Sequence, residues 1–166
     1  MQKILIIGNC GAGKTCFAIQ LAKKLGLPVV HLDSLFWLPD WVQRERDDFD
    51  KLLQTELEKP RWLMDGNYNR TLPLRLQYAD TVIHLNYNRW ICLYRVIRRS
   101  FLKEEHAQGC QSKIDLSFLW YVFYKYPQYN RFSSMALKGQ FPSLEWIEIR
   151  SPFEAKNFLD KKLIPD

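Results

Sequence analysis

Gly8-Asn9-Cys10-Gly11-Ala12-Gly13-Lys14-Thr15 is the stretch that decides how this 166-residue chain is read. Its spacing, Gly-x-x-x-x-Gly-Lys-Thr, suits a loop whose backbone N–H groups turn inward around phosphate oxygens, because glycine leaves room for that close approach. Lys14 would reach the outer phosphates as a point charge, and the Thr15 hydroxyl would be a ligand for Mg²⁺. The flanking sequence agrees. Residues 3–7 are a short β-branched run ending at Gly8, and Phe17, Leu21, Ala22 and Leu25 follow at helical spacing before Gly26 and Pro28 close the segment. Strand, glycine loop and helix in that order are the context in which this motif binds phosphate.

The same alternation continues outward. Residues 28–31 read as a second strand, Phe49, Leu52, Leu53 and Leu57 lie on one helix face ending near Pro60, and residues 61–65 read as a third strand. Residues 81–85 are a fourth. A helical pattern then starts near Asn88 (Ile91, Leu93, Tyr94, Ile97, Phe101), and another runs from Asp115 towards Pro127. Residues 145–149 read as the fifth strand, and Pro152 is placed to open a closing helix. Strands alternating with helices predict an α/β protein whose parallel sheet is covered on both faces by right-handed crossovers. With the phosphate loop, this is a three-layer P-loop NTPase fold: one domain over residues 1–166, a five-stranded parallel sheet and a short helical lid, for which residues 95–111 are the candidate. Residues 109–113 are the expected mobile loop.

No apolar stretch approaches the roughly 20 residues of a membrane span, and no leader pattern is visible, so a soluble cytoplasmic protein is expected. Four cysteines and three histidines show no metal-ligand spacing. The net charge of +6 is unevenly placed: Lys/Arg against Asp/Glu is 11 to 10 over residues 1–85, 8 to 3 over 86–131, and 5 to 5 over 132–166. The middle segment should therefore meet phosphates, either of a small ligand or of a nucleic acid.

A Mg²⁺ held by Thr15 and phosphate also needs a carboxylate from a neighbouring strand end. Asp65, ending the third strand before Gly66, is the expected metal partner; Asp33, just after the second, is the expected contact or base for an acceptor hydroxyl. Arg95, Arg98 and Arg99 recur at helical spacing, with Arg95 and Arg99 one turn apart, and cations closing over a transferred phosphoryl group would stabilise its charge. Phe36, Trp37 and Trp41 read equally well as a wall for a ring-bearing acceptor or as core. The aromatics between Phe118 and Phe132 read as a buried or partner-facing stripe.

The phosphate loop, the stretch Asp65-Gly66-Asn67-Tyr68-Asn69-Arg70-Thr71 and the run Arg95-Val96-Ile97-Arg98-Arg99 together resemble the adenylate-kinase-like branch of P-loop kinases. The run His31-Leu32-Asp33-Ser34-Leu35-Phe36-Trp37-Leu38-Pro39-Asp40-Trp41, with Asp65-Gly66-Asn67-Tyr68, is similar to the bacterial DNA topology modulation (FlaR-like) family. The resemblance implies a magnesium-side Asp65, an acceptor-side Arg70 and an arginine-rich lid. It also implies that Ser151-Pro152 marks where the adenine is held, although a plain helix start reads equally well.

On this reading ATP and Mg²⁺ are the cofactors, and Gly8, Asn9, Cys10, Gly11, Ala12, Gly13, Lys14, Thr15, Cys16 and Ser151 bind the nucleotide. Lys14, Asp33, Arg95 and Arg99 act on the transferred group, Asp33, Trp37 and Arg70 bind the acceptor, and Thr15 and Asp65 hold the metal. The expected activity is transfer of the γ-phosphoryl group to a small-molecule or nucleotide acceptor, by a monomer or homodimer. The alternative is a nucleic-acid-binding or topology-modulating protein with a nucleotide switch. A kinase for nucleic-acid 5′ ends and a non-catalytic nucleotide-binding regulator also remain open.

Overall fold

The computed structural model describes residues 1–101, 105–107, 110–111 and 115–161. Five strands, β1 (Lys3–Gly8), β2 (Val29–His31), β3 (Trp62–Asp65), β4 (Thr81–Leu85) and β5 (Glu145–Ile149), lie in the order β2-β3-β1-β4-β5. Every neighbouring pair is parallel. The chain leaves β1 for β2, returns to fill the gap with β3, then crosses to the other side of β1 for β4. The carboxyl end of β1 is thus a switch point, where open α/β sheets leave a crevice for ligands.

Helices α1 (Lys14–Leu25), α2 (Arg46–Glu58), α3 (Leu72–Tyr78), α4 (Arg89–Phe101), α5 (Tyr126–Gln140) and α6 (Pro152–Lys161) surround the sheet. Alternate residues of the central strands feed two cores, as the period of a strand requires. Ile4, Ile6, Leu63 and Ile83 pack with Phe17, Ala18 and Leu21 of α1, Cys92 and Val96 of α4, and Ala155 and Leu159 of α6. Leu5, Ile7, Met64 and Val82 face the other way, onto Phe49, Leu53 and Leu57 of α2 and Leu72 and Leu76 of α3. This division places Asp65, two residues after Leu63, on the α1 side of the sheet, where Thr15 sits.

Two details depart from the sequence expectation. The helix expected to stop near Pro127 continues to Gln140, because a π-helical turn over Tyr121–Lys125 joins Leu116–Trp120 to α5. The Tyr126 N–H closes the π turn on the Tyr121 carbonyl, and Pro127, which has no N–H to give, follows directly after this wider turn. The candidate lid at 95–111 is only partly helical. After Phe101 its described residues form an antiparallel ribbon, Glu105–Ala107 with Cys110–Gln111, while 102–104 and 108–109 lie outside the described residues. Of the expected mobile loop at 109–113, residues 110–111 belong to this ribbon, and 109, 112 and 113 lie outside the described residues. A second ribbon pairs Trp37–Leu38 with Val42–Gln43 around the turn Pro39–Trp41, and Cys110–Gln111 lies against that turn. No helix among the described residues is long and apolar enough to cross a membrane.

Candidate phosphoryl-transfer site

The glycine loop spans the gap between β1 and α1 at the switch point. Gly11 and Gly13 take φ of 81° and 85°, in the left-handed region that glycine enters without strain. Gly11 is also held by space. A β-carbon there would stand 2.3 Å from the Cys92 carbonyl oxygen of α4. The loop is therefore clamped between β4 and α4, and the burial that surrounds Cys92 pushes its thiol up to about 11, outside the reactive range. Of the other loop cysteines, Cys10 is partly buried against the core and Cys16 is exposed at the start of α1.

Lys14 Nζ lies over the loop, donating to the carbonyls of Gly8 at 2.9 Å and Asn9 at 3.1 Å. Asn67, on the chain leaving β3, brackets the loop's first residue: Gly8 N–H donates to Asn67 Oδ1 at 3.2 Å, and Asn67 Nδ2 donates to the Gly8 carbonyl at 2.9 Å. Asn9 is buried and donates through Nδ2 to the Val122 carbonyl in the π turn at 2.8 Å. Neither asparagine link was legible beforehand, because each joins residues far apart in the chain. Arg95 reaches the loop from α4, its Nη1 donating to the Ala12 carbonyl at 3.3 Å, with the guanidinium 5.7 Å from the centre of the Tyr87 ring.

Thr15 and Asp65 meet. The Thr15 hydroxyl donates to Asp65 Oδ2 at 2.8 Å, while Asp65 Oδ1 lies 2.6 Å from His31 Nδ1. Register explains the second contact, since His31 and Asp65 are paired residues of β2 and β3 and share a face. The hydrogen bond to Asp65 raises the pKa of His31 against the opposing effect of burial, and the charges of Asp65 and Asp33 add to the rise. His31 stood unassigned in the sequence run that contains it; a histidine ending a strand beside one that ends in aspartate was the available signal.

Asp33 sits in the short helix Leu32–Phe36 and accepts from the Tyr68 hydroxyl at 2.8 Å. Burial first, then the neighbouring Asp33, drives the Tyr68 phenol well above its ordinary value, which keeps it a donor. Tyr68 holds φ 29° and ψ 69°, an uncommon conformation for a bulky residue. Arg75 supports it from below. Its fully buried guanidinium donates to the carbonyls of Gly66, Asn67 and Tyr68.

The remaining expected residues are placed as follows. Arg70 forms a two-pronged ion pair with Asp50 of α2, at 2.8 and 2.6 Å, half exposed. Arg99 lies one turn after Arg95, partly buried, and its Nε has no partner among the described residues. The Ser151 hydroxyl accepts from the Glu154 N–H at 3.2 Å, while Glu154 Oε2 accepts from the Arg150 N–H at 2.8 Å, a capping arrangement that starts α6. The Ser151 side chain is thus accounted for by the helix start.

The residues present suit Mg²⁺. A hydroxyl and a carboxylate already in contact beside the phosphate loop supply hard oxygens, which this ion prefers. It also keeps waters and takes phosphate oxygens, so two protein ligands are a normal share.

Comparison with known proteins agrees on the fold. The isopentenyl transferase family model matches residues 1–43, the quarter of the chain that carries β1, the glycine loop, α1, β2 and the Trp37 turn. No curated protein matches the chain. Among solved structures, shikimate kinase from Acinetobacter baumannii in complex with shikimate superposes with a TM-score of 0.66 at 15% identity, covering 98% of this chain and 91% of that one. A gluconokinase from Sinorhizobium meliloti gives 0.54 at 14% identity, over 98% and 89%. A sugar kinase from a Janibacter species gives 0.55 at 14%, over 98% and 92%. The chain has the P-loop kinase fold.

Proposed function

We propose that this protein is an ATP-dependent phosphotransferase of the adenylate-kinase-like, FlaR-like kind, moving the γ-phosphoryl group to a hydroxyl of a small acceptor. The observation that carries this reading is the meeting of Thr15 and Asp65 beside the glycine loop, with Asp33 one strand away. A loop that only binds phosphate needs the glycines and Lys14. A carboxylate on the Thr15 hydroxyl and a second carboxylate on the acceptor side are what transfer needs in addition.

The residues divide the work. Backbone N–H groups of the loop and Lys14 take the phosphates, Lys14 exchanging its two carbonyl contacts for phosphate oxygens. Bound Mg²⁺, on Thr15 and Asp65, would neutralise charge on the phosphates. Arg95, already on the Ala12 carbonyl, and Arg99 behind it stand on the helix that leads into the lid. Asp33 accepts the proton of the acceptor hydroxyl as its oxygen bonds to phosphorus and the bond from phosphorus to the ADP oxygen breaks. Tyr68 keeps Asp33 oriented.

Lys14→Ala tests the reading. It should abolish transfer from labelled ATP and remove the thermal stabilisation that Mg-ATP confers, with the unliganded melting temperature nearly unchanged; a variant that still transfers phosphate would overturn the assignment.

A second reading, single-stranded nucleic-acid binding, is favoured by one observation. Helix α4 exposes Trp90 and Tyr94 beside Arg89 and Arg98, and Trp120 and Tyr124 stack in the open at 4.8 Å. Affinity for an oligonucleotide that falls steeply with salt and survives Lys14→Ala would support it.

A further inference from the structure

We propose that His31 is a positioning residue for the metal-side carboxylate: its Nδ1–H fixes the plane of the Asp65 carboxylate, and with it the oxygen that Asp65 offers to Mg²⁺ beside Thr15; this rests on the phosphotransferase reading. Asp65 is 4% exposed. Its side-chain partners among the described residues are the Thr15 hydroxyl, on Oδ2 at 2.8 Å, and His31 Nδ1, on Oδ1 at 2.6 Å, with no lysine or arginine among them. An ionised carboxylate only accepts hydrogen bonds, so the proton of the second contact lies on Nδ1. Each carboxylate oxygen thus has one fixed donor.

The backbone around this pair is fixed by other means. His31 and Asp65 are register partners in neighbouring parallel strands, which sets their side chains abreast on one face. Directly after them, Leu32 fills the space over Gly66, where a β-carbon would stand 2.8 Å from the Leu32 Cβ, and the Gly66 N–H donates to the Ile6 carbonyl at 3.3 Å. The strand ends are therefore held without the histidine ring. What register leaves open is rotation of the carboxylate about its last bond, a torsion with a broad minimum. Thr15 holds one oxygen, and on this reading it must also give its own oxygen to the metal. A donor on the other oxygen is what stops the rotation, and a carboxylate this deeply buried has little water to supply it. His31 keeps 31% of its side chain exposed, so what it adds here is the donor more than buried apolar surface. Partners of this kind, one step removed from a metal, tune how well its ligands bind it.

The test uses the full chain, Mg²⁺ and a non-hydrolysable ATP analogue, whose binding is titrated by calorimetry at a series of Mg²⁺ concentrations. His31→Leu and His31→Phe both remove the donor, and the Phe variant keeps a ring. Each should raise the Mg²⁺ concentration for half-maximal tightening by about tenfold, while binding of the analogue without Mg²⁺ stays unchanged. His31→Asn, whose amide N–H can take the place of Nδ1–H, should restore most of the loss. In an Asp65→Asn background His31→Leu should add nothing further, because His31 acts through Asp65. The unliganded melting temperature of each variant reports on the strand pair separately. An unchanged Mg²⁺ requirement in the Leu and Phe variants, a loss that His31→Asn does not reduce, or a loss that adds to that of Asp65→Asn overturns the proposal and leaves His31 a tie between β2 and β3. If Mg²⁺ fails to tighten binding in the natural protein, it is the phosphotransferase reading that falls.

Discussion

Thr15 and Asp65 are fifty positions apart in the chain and 2.8 Å apart in space, hydroxyl to carboxylate. The contact follows from topology. β3 lies directly beside β1, Ile6 is paired with Asp65, and α1 packs on the face to which Asp65 points. On the proposed function, removing either oxygen leaves the phosphate loop intact but takes away one of the two side chains that would hold Mg²⁺. Asp65→Asn and Thr15→Val should each lower transfer by about a hundredfold or more and raise the Mg²⁺ concentration needed for half-maximal rate. Rates measured across a Mg²⁺ titration check this.

Gly11 separates shape from charge in the same loop. Gly11→Ala puts a methyl group within 2.3 Å of the Cys92 carbonyl oxygen, at a φ of 81° that alanine rarely adopts. The loop and the start of α4 must then part. The melting temperature should fall, and ATP binding, followed by calorimetry, should weaken even though no phosphate-contacting side chain has changed.

Arg75 is the structural counterpart. Burial depresses its pKa to about 9, yet its donors satisfy three carbonyls of the turn that carries Asn67 and Tyr68. Arg75→Met fits the apolar surroundings but strands those carbonyls, and should cost about 2–4 kcal/mol in urea unfolding. The turn's strained Tyr68 would lose its support, so the acceptor KM should rise as well.

Asp80 sets an acid limit on stability. It accepts the N–H groups of Gln2 at 2.6 Å and Lys3 at 3.0 Å and the Thr81 hydroxyl at 2.7 Å, tying the start of β1 to that of β4. Burial would raise its pKa, but these donors outweigh it and hold the carboxyl below the usual value. A folded pKa below the unfolded one gives stability that is complete above about pH 4 and lost as pH falls through the folded value. The melting-temperature gap between the natural protein and Asp80→Ala should therefore be present at pH 7 and shrink below about pH 4.

Much of the molecule was legible in one dimension because its determinants are local. The glycine spacing of residues 8–15, the β-branched runs and the positions of Gly26, Pro28, Pro60 and Pro152 each act through the backbone of the residues that carry them. They predict the five strands, the phosphate loop, and Asp65 at a strand end next to it. The π turn escaped because Pro127 read as a stop, and only the geometry of the preceding turn lets the helix pass it.

What sequence determined by itself, then, is the phosphate loop at the end of β1 and the parallel α/β frame, since glycine conformation and hydrophobic period are properties of short stretches. What only the tertiary structure decided is which side chains stand around that loop. His31 meets Asp65 through strand register across 34 positions, Tyr68 holds Asp33 across 35, and Asn67 brackets Gly8 across 59. The same packing places Arg95 on the loop and draws Arg70 to Asp50. Such pairings are set by strand order and helix packing, which bring together residues whose own neighbours in the chain carry no sign of the contact.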